Sequence, residues 1–285
     1  MTAHIRKLQS GFTLVEMVIV IVITGIVAGI VAVFIRTPVA GYLSTTRRAE
    51  LTDIADTALR RVARDIQNAL PNSVRSTGTF LEFVPIKAAG RYRADYDVGG
   101  AGNPLTEFGV APSSSNFDVY GPPLTLAAGD WIVIYNLGIA GSNVYDGSSR
   151  RAATSIGSGL TTIGFGGATS FPFPSPSSRF QVVNINSTVS YVCVPDTVDT
   201  VNASSGFLYR YTGYAIPAAQ PTSLATLNGL AGVTSAILAS HVSACSLTYT
   251  TGALQSQGLV SISLQVTEGS DTVRLQHEVN VNNTP

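Results

Sequence analysis

The sequence predicts an α+β fold: one long N-terminal α-helix followed by a β-rich, globular head. Three observations predict it. Leu14–Ile35 is a run of twenty-two residues in which Glu16 is the one charged member, and about twenty apolar residues span the hydrocarbon core of a bilayer. Apolar residues then recur at spacings of three and four from Leu51 to Leu70, the period of an amphipathic helix. From residue 72 charges thin out, Gly, Ser, Thr, Asn and Pro become frequent, and short β-branched and aromatic runs appear, the composition of strands joined by turns.

The first element is the membrane segment. Arg6 and Lys7 precede it, so the positive-inside rule keeps this end cytoplasmic and exports the rest. Arg36 on the far side is a weaker contrary signal, because one charge beside a long translocated region rarely sets orientation. A general secretory signal is the rival reading. Its apolar region is shorter and ends at a small-x-small cleavage site, and Ile35-Arg36-Thr37-Pro38 offers none.

The second element continues the first. Leu51, Ile54, Ala55, Ala58, Leu59, Val62, Ile66, Ala69 and Leu70 make one face, and Arg47, Arg48, Glu50, Asp53, Asp56, Arg60, Arg61, Arg64 and Asp65 make the other. Asp56–Arg60 and Arg61–Asp65 are four apart and can pair weakly. Pro38 removes one intrahelical hydrogen bond and predicts a kink or a local melt. Asn68-Ala-Leu-Pro71-Asn72 ends the helix, since proline cannot continue it. From Phe12 to about Leu70 such a rod would be on the order of 90 Å long at 1.5 Å per residue.

In the head, strands are predicted over Thr79–Ile86, Trp131–Leu137, Arg179–Val183, Val189–Val194, Phe207–Tyr214, Cys245–Thr250, Leu259–Thr267 and Thr272–Val281. The last two flank Glu268-Gly-Ser-Asp271, a hairpin turn. Val260, Ile262, Leu264 and Val266 alternate with polar residues, so one face of that strand is buried. Leu224–Val242 has room for a short helix. Residues 138–178, low in periodicity and rich in Gly, Ser and Pro, read as a long surface insertion, and residues 96–129 read similarly. Cys193 and Cys245 lie in the exported part, where an oxidising compartment favours a disulfide between them.

Composition excludes little by itself, but motifs exclude much. Net charge is zero over 285 residues, with about +3 on residues 1–70 (eight Lys/Arg, five Asp/Glu) and about −3 on the rest (nine against twelve). Nothing there points to nucleic acid. No Gly-x-Ser-x-Gly elbow, Walker loop, His-Glu-x-x-His or dinucleotide fingerprint occurs, so neither an enzyme nor a cofactor is predicted. Gly164-Phe-Gly-Gly167 lacks phosphate-loop spacing and reads as a mobile loop. His241 near Cys245 makes no zinc set, so no metal site is expected. Asp196 and Asp199, and likewise Asp95 and Asp97, offer too few oxygens for Ca²⁺ and read as solvated acids. Tyr209, Tyr211 and Tyr214 read as sheet faces, with a carbohydrate or surface-binding patch as the alternative.

One motif carries chemistry. Glu16 sits at the mouth of the apolar run, five residues after Gly11. A carboxylate in a membrane helix is costly and marks function by default. The bland alternative is snorkelling to the headgroups. A cut after Gly11 would place a new amino group on Phe12, four residues from the acid.

Gly11-Phe12-Thr13-Leu14-Val15-Glu16 followed by a long apolar helix resembles the type IV pilin family and its pseudopilin relatives. The resemblance covers about residues 1–36. It implies a leader peptide over 1–11, a transmembrane helix over 12–36, its amphipathic continuation over 37–71 and a periplasmic head over 72–285. It implies cleavage between Gly11 and Phe12 by a prepilin peptidase, N-methylation of Phe12, and pairing of Glu16 with the Phe12 amine of a neighbouring subunit. The implied partners are that peptidase, other minor pilins and the major pilin, the inner-membrane assembly platform and inner-membrane lipid. Leu59–Ser73, Ile237–Tyr249 and the terminal hairpin look like the large minor pilins of mannose-sensitive haemagglutinin (MSHA) type pilus systems and the J-type pseudopilin of type II secretion. Three readings stay open: a minor pilin at or near the pilus tip, a secretion pseudopilin, and a tip adhesin with contacts in residues 96–178.

Overall fold

A computed structural model describes residues 11–196, 204–251 and 257–285. The chain divides into two units, Met1–Glu50 and Leu51–Pro285. Helix α1 (Leu14–Gln67) begins in the first and ends in the second. In the first unit its apolar residues are exposed throughout, and the helix is long and apolar enough to cross a membrane. Pro38 does not interrupt it, which corrects the expected local melt. Proline removes a single donor, and the helix on both sides is long enough to absorb that loss. Thr45 and Thr46 bond back to the carbonyls of Gly41 (2.9 Å) and Tyr42 (3.1 Å).

In the second unit Leu51, Ala55, Ala58, Leu59, Val62 and Ile66 of α1 are buried, so the predicted stripe is the face that packs. The polar face carries Arg60–Asp56 at 2.6 Å and Arg61–Asp65 at 3.2 Å. Exposed pairs of this kind contribute only a few tenths of a kcal/mol each. Asp65 does more. It also accepts from Arg210 Nε (2.7 Å) and from the Tyr191 hydroxyl (2.8 Å), tying the helix to the sheet beneath it. Burial, then Asp65, holds the Tyr191 phenol well above the usual tyrosine range. The helix closes with two tightened turns, Asn68 N to Asp65 O and Ala69 N to Ile66 O, just before Pro71.

The strands follow in chain order: β1 (Arg75–Thr77), β2 (Phe80–Phe83), β3 (Ala88–Tyr92), β4 (Asn116–Tyr120), β5 (Leu124–Leu126), β6 (Asp130–Val133), β7 (Arg150–Ala152) and β8 (Gly157–Leu160). Then come β9 (Thr162–Gly164), β10 (Arg179–Asn184), β11 (Thr188–Val194), β12 (Phe207–Tyr214), α2 (Leu224–Asn228), β13 (Thr234–Ala239), β14 (Val242–Thr251), β15 (Gln257–Glu268) and β16 (Asp271–Asn282). They form sheets ordered β1-β2-β11-β12-β13, β7-β6-β10-β3-β4-β9 and β14-β15-β16, plus the pair β5-β8. The α+β class is as the sequence predicts.

A first hydrophobic core packs α1 against β2, β11 and the three-stranded sheet, where Val260, Ile262, Leu264 and Val266 are all buried. Glu268 pairs with Asp271 across a two-residue turn whose Gly269 has φ +58°, the predicted hairpin. The Cys193–Cys245 disulfide joins β11 to β14, and so joins two sheets.

A second core corrects the sequence reading. Residues 96–129 and 138–178 are not surface insertions. They supply β4, β5, β7, β8 and β9, and Phe117, Ile163, Phe165 and Phe171 are buried with Tyr92 and Phe180. Phe117 and Phe180 meet edge to face at 5.2 Å. These strands have three to five residues each, too few for an alternating pattern to show. Gly164 lies in β9, paired with Asn116, rather than in a mobile loop. The short helix expected within Leu224–Val242 is α2, capped by Ser223, and β13 follows it after a turn.

A buried ion pair ties β1 and β2 to β11 and β12. Glu82 is fully buried. It accepts from Arg75 Nε (2.8 Å), the Tyr214 hydroxyl (3.0 Å) and Ser190 Oγ (3.4 Å), while Arg75 stacks over the Tyr145 ring at 3.6 Å. Burial raises the Glu82 pKa above 4.5, and the Arg75 charge and the three hydrogen-bond partners only partly offset it. The folded chain therefore keeps this proton to higher pH than the unfolded chain does. Glu82's contribution is fully present below about pH 4.5 and declines as pH rises through the folded value. The stability of the native chain relative to Glu82→Gln is expected to fall as pH rises above about 4.5 and through the raised folded value, by up to about 1.4 kcal/mol per pH unit. Denaturant titrations at several pH values check this; a pH-independent difference contradicts it.

Candidate functional site

The candidate site is Gly11–Glu16. Among the described residues the helix starts at Leu14, which makes Thr13 its N-cap and Glu16 its third residue. The two bond reciprocally. Glu16 N donates to Thr13 Oγ1 at 3.3 Å, and Glu16 Oε2 accepts from Thr13 N and Thr13 Oγ1, each at 3.4 Å. This is a capping box, which satisfies two donors that the helix itself leaves unpaired. The carboxylate also lies at the positive end of the helix dipole. The signal, Thr-x-x-Glu before an apolar run, stands in the sequence and went unread there.

Phe12 is 79 % exposed. Among the described residues nothing lies within 4 Å of where a Cβ on Gly11 would sit. The described residues therefore give no steric reason for glycine at this position.

Other candidates resolve differently. Tyr211 and Tyr214 are buried, and the Tyr214 hydroxyl is engaged by Glu82 and by Ser190 at 2.6 Å; these two rings do not form an exposed patch. His241 links β13 to β14 with φ +61°. Asp97 pairs with Arg93, Asp196 accepts from Ser205 Oγ, and Asp199 lies outside the described residues. Among the described residues no group of three or more His, Cys, Asp or Glu is placed to hold a metal ion. A cleft of about 520 Å³ where α1 ends is lined by Arg61, Arg64 and Arg210 around Asp65. The hydrogen bonds of Asp65 in this cleft are the ones that join α1 to β11 and β12.

Residues 6–32 match the family model described as the prokaryotic N-terminal methylation motif. No curated protein and no solved structure matches the chain. The motif implies processing by a prepilin peptidase and pilus assembly with other pilins. It fits a protein anchored in the inner membrane before incorporation into a pilus. With this motif running directly into an apolar helix long enough to cross a membrane, the chain has the N-terminus of a type IV pilin-like prepilin.

Proposed function

We propose that this chain is a minor pilin, of the kind found in MSHA-type pilus systems, that supports pilus assembly from at or near the tip. The observation that carries the reading is the methylation motif leading into α1 with Glu16 in its first turn. Cleavage falls between Gly11 and Phe12, and the open space among the described residues around a Cβ at 11 supports a requirement for glycine set by the peptidase. The leader is 1–11, the membrane segment 12–36, the amphipathic continuation 37–71 and the periplasmic head 72–285. After cleavage, Glu16 pairs with the Phe12 amine of a neighbouring subunit. In a low-dielectric environment each charge alone costs several kcal/mol, so pairing them stabilises one axial register. The large head, with a second lobe built from residues 88–182, is bulky for a repeating shaft and suits a terminal position. The work of this protein is non-covalent, and it is a substrate of the peptidase rather than an enzyme.

A secretion pseudopilin shares the same N-terminal features. Counting surface pili by electron microscopy in a strain lacking this protein separates the readings. Under the proposal pili vanish or become rare. Normal pilus density overturns the assembly role and moves secretion or adhesion to the front.

A further inference from the structure

The cleft where α1 ends lies outside the assembly role proposed above. It measures about 520 Å³, within the range of ligand sites. Helical spacing builds one wall. Arg61, Arg64 and Asp65 stand within four residues on one face of α1, while Val62 and Ile66 turn into the first core. Arg210 closes the cleft from β12, and Phe83, Pro85 and Val189 give it an apolar side. All of these residues belong to the second unit.

Its charge is unbalanced. Three guanidiniums and a single carboxylate, that of Asp65, line it. The carboxylate is already engaged. Its Oδ1 faces Arg61 Nε at 3.2 Å, and its Oδ2 accepts from Arg210 Nε at 2.7 Å and from the Tyr191 hydroxyl at 2.8 Å. These contacts leave Arg64 out. Among the described residues the Arg64 guanidinium and both Nη atoms of Arg61 take no hydrogen bond. Three positive charges against one negative leave a formal +2, of which the carbonyls at the C-terminus of α1 offset about half a charge. Arg210 and Asp65 are only 21 % and 15 % exposed, so salt and water screen this field weakly. The remaining charge of about +1.5 matches a phosphomonoester, which carries about −1.5 to −2 at neutral pH. A carboxylate, with one charge, leaves the cleft positive. Guanidinium forks also meet phosphate oxygens two at a time, and the apolar side offers a surface to the organic group of the ester.

We propose that this cleft binds a phosphomonoester, with its phosphoryl oxygens held by the open guanidinium edges of Arg61 and Arg64 beside Arg210, and its organic group set against Phe83, Pro85 and Val189. The inference does not depend on the pilin reading, since it rests on the second unit alone.

Titration calorimetry on the detergent-solubilised full chain tests it, with phenyl phosphate and benzoate as probes. Phenyl phosphate is expected to bind, more weakly as salt rises, and benzoate at least about tenfold more weakly, since it offers the same ring with a single charge. Arg64→Gln is expected to cost about tenfold or more in phenyl phosphate affinity. Its melting temperature should be unchanged, because Arg64 bonds to no described residue. Gln67→Trp, at an exposed position on the rim, is expected to fill the cleft and abolish binding. Displacement of phenyl phosphate by dihexanoyl phosphatidic acid would assign the ester to a lipid headgroup, and displacement by glucose 6-phosphate alone to a soluble sugar; either supports the site. Failure of phenyl phosphate to bind, equal affinity for benzoate, or native affinity in Arg64→Gln overturns the proposal.

Discussion

Glu16→Ala is expected to be inserted and cleaved normally, yet to enter filaments at least about tenfold less efficiently, because an unpaired ammonium in low dielectric costs several kcal/mol and about 1.4 kcal/mol is already tenfold. The capping box gives the carboxylate a second role that a simple deletion would confuse with the first. Glu16→Gln separates them. Glutamine serves at this position of a capping box as glutamate does, but it carries no charge. If pairing with the Phe12 amine governs assembly, Gln fails as Ala does; if capping α1 is the requirement, Gln assembles normally. Quantifying the subunit in sheared pili against the membrane pool reads the result. Gly11→Asp is the complementary control. It is expected to retain the leader and remain in the membrane, visible as a slower-migrating band.

Loss of the disulfide is expected to be the largest single effect on the stability of the head. Cys193 and Cys245 are 52 residues apart, and closing a loop of that length contributes about 4 kcal/mol on the chain-entropy estimate. That is a large part of the roughly 5–15 kcal/mol typical of a folded domain. The bond also joins the five-stranded sheet to the three-stranded one, so without it their separation is opposed by the packing of the first core and by hydrogen bonds such as Tyr249 N to Ser76 Oγ. The Cys193→Ala/Cys245→Ala variant, and the native chain under reductant, should show the same lowered denaturant midpoint. A shift below about 1 kcal/mol in both would show that the packing of Leu247, Val260 and Val189 against α1 is sufficient by itself.

Several of these features are legible in the residues alone. The α1 stripe, the Glu268–Asp271 hairpin and the buried alternation of Val260 to Val266 are patterns within one element. Each is written in consecutive residues and follows from the 3.6- and 2-residue periods of the backbone. The motif at Gly11–Glu16 is likewise local, and so is the capping box, although its Thr-x-x-Glu signal passed unnoticed.

The second lobe was illegible for the opposite reason. Arg91 of β3 pairs with Arg179 of β10, and Phe117 of β4 with Ile163 of β9; strands this short are specified by partners far along the chain. Phe117 becomes core only because Phe165, Phe171 and Phe180 arrive from three other segments. The same holds for Glu82, whose partners Arg75, Ser190 and Tyr214 come from three strands, and for Arg210, which reaches Asp65 of α1 from β12 and closes one cleft with it. The sequence by itself determined the helix, the terminal hairpin and the prepilin motif, because hydrogen bonds and side-chain periods within neighbouring residues suffice to specify them. Tertiary structure alone decided the second core, the buried ion pair and the cleft, because their energies arise from contacts between residues that no local pattern relates.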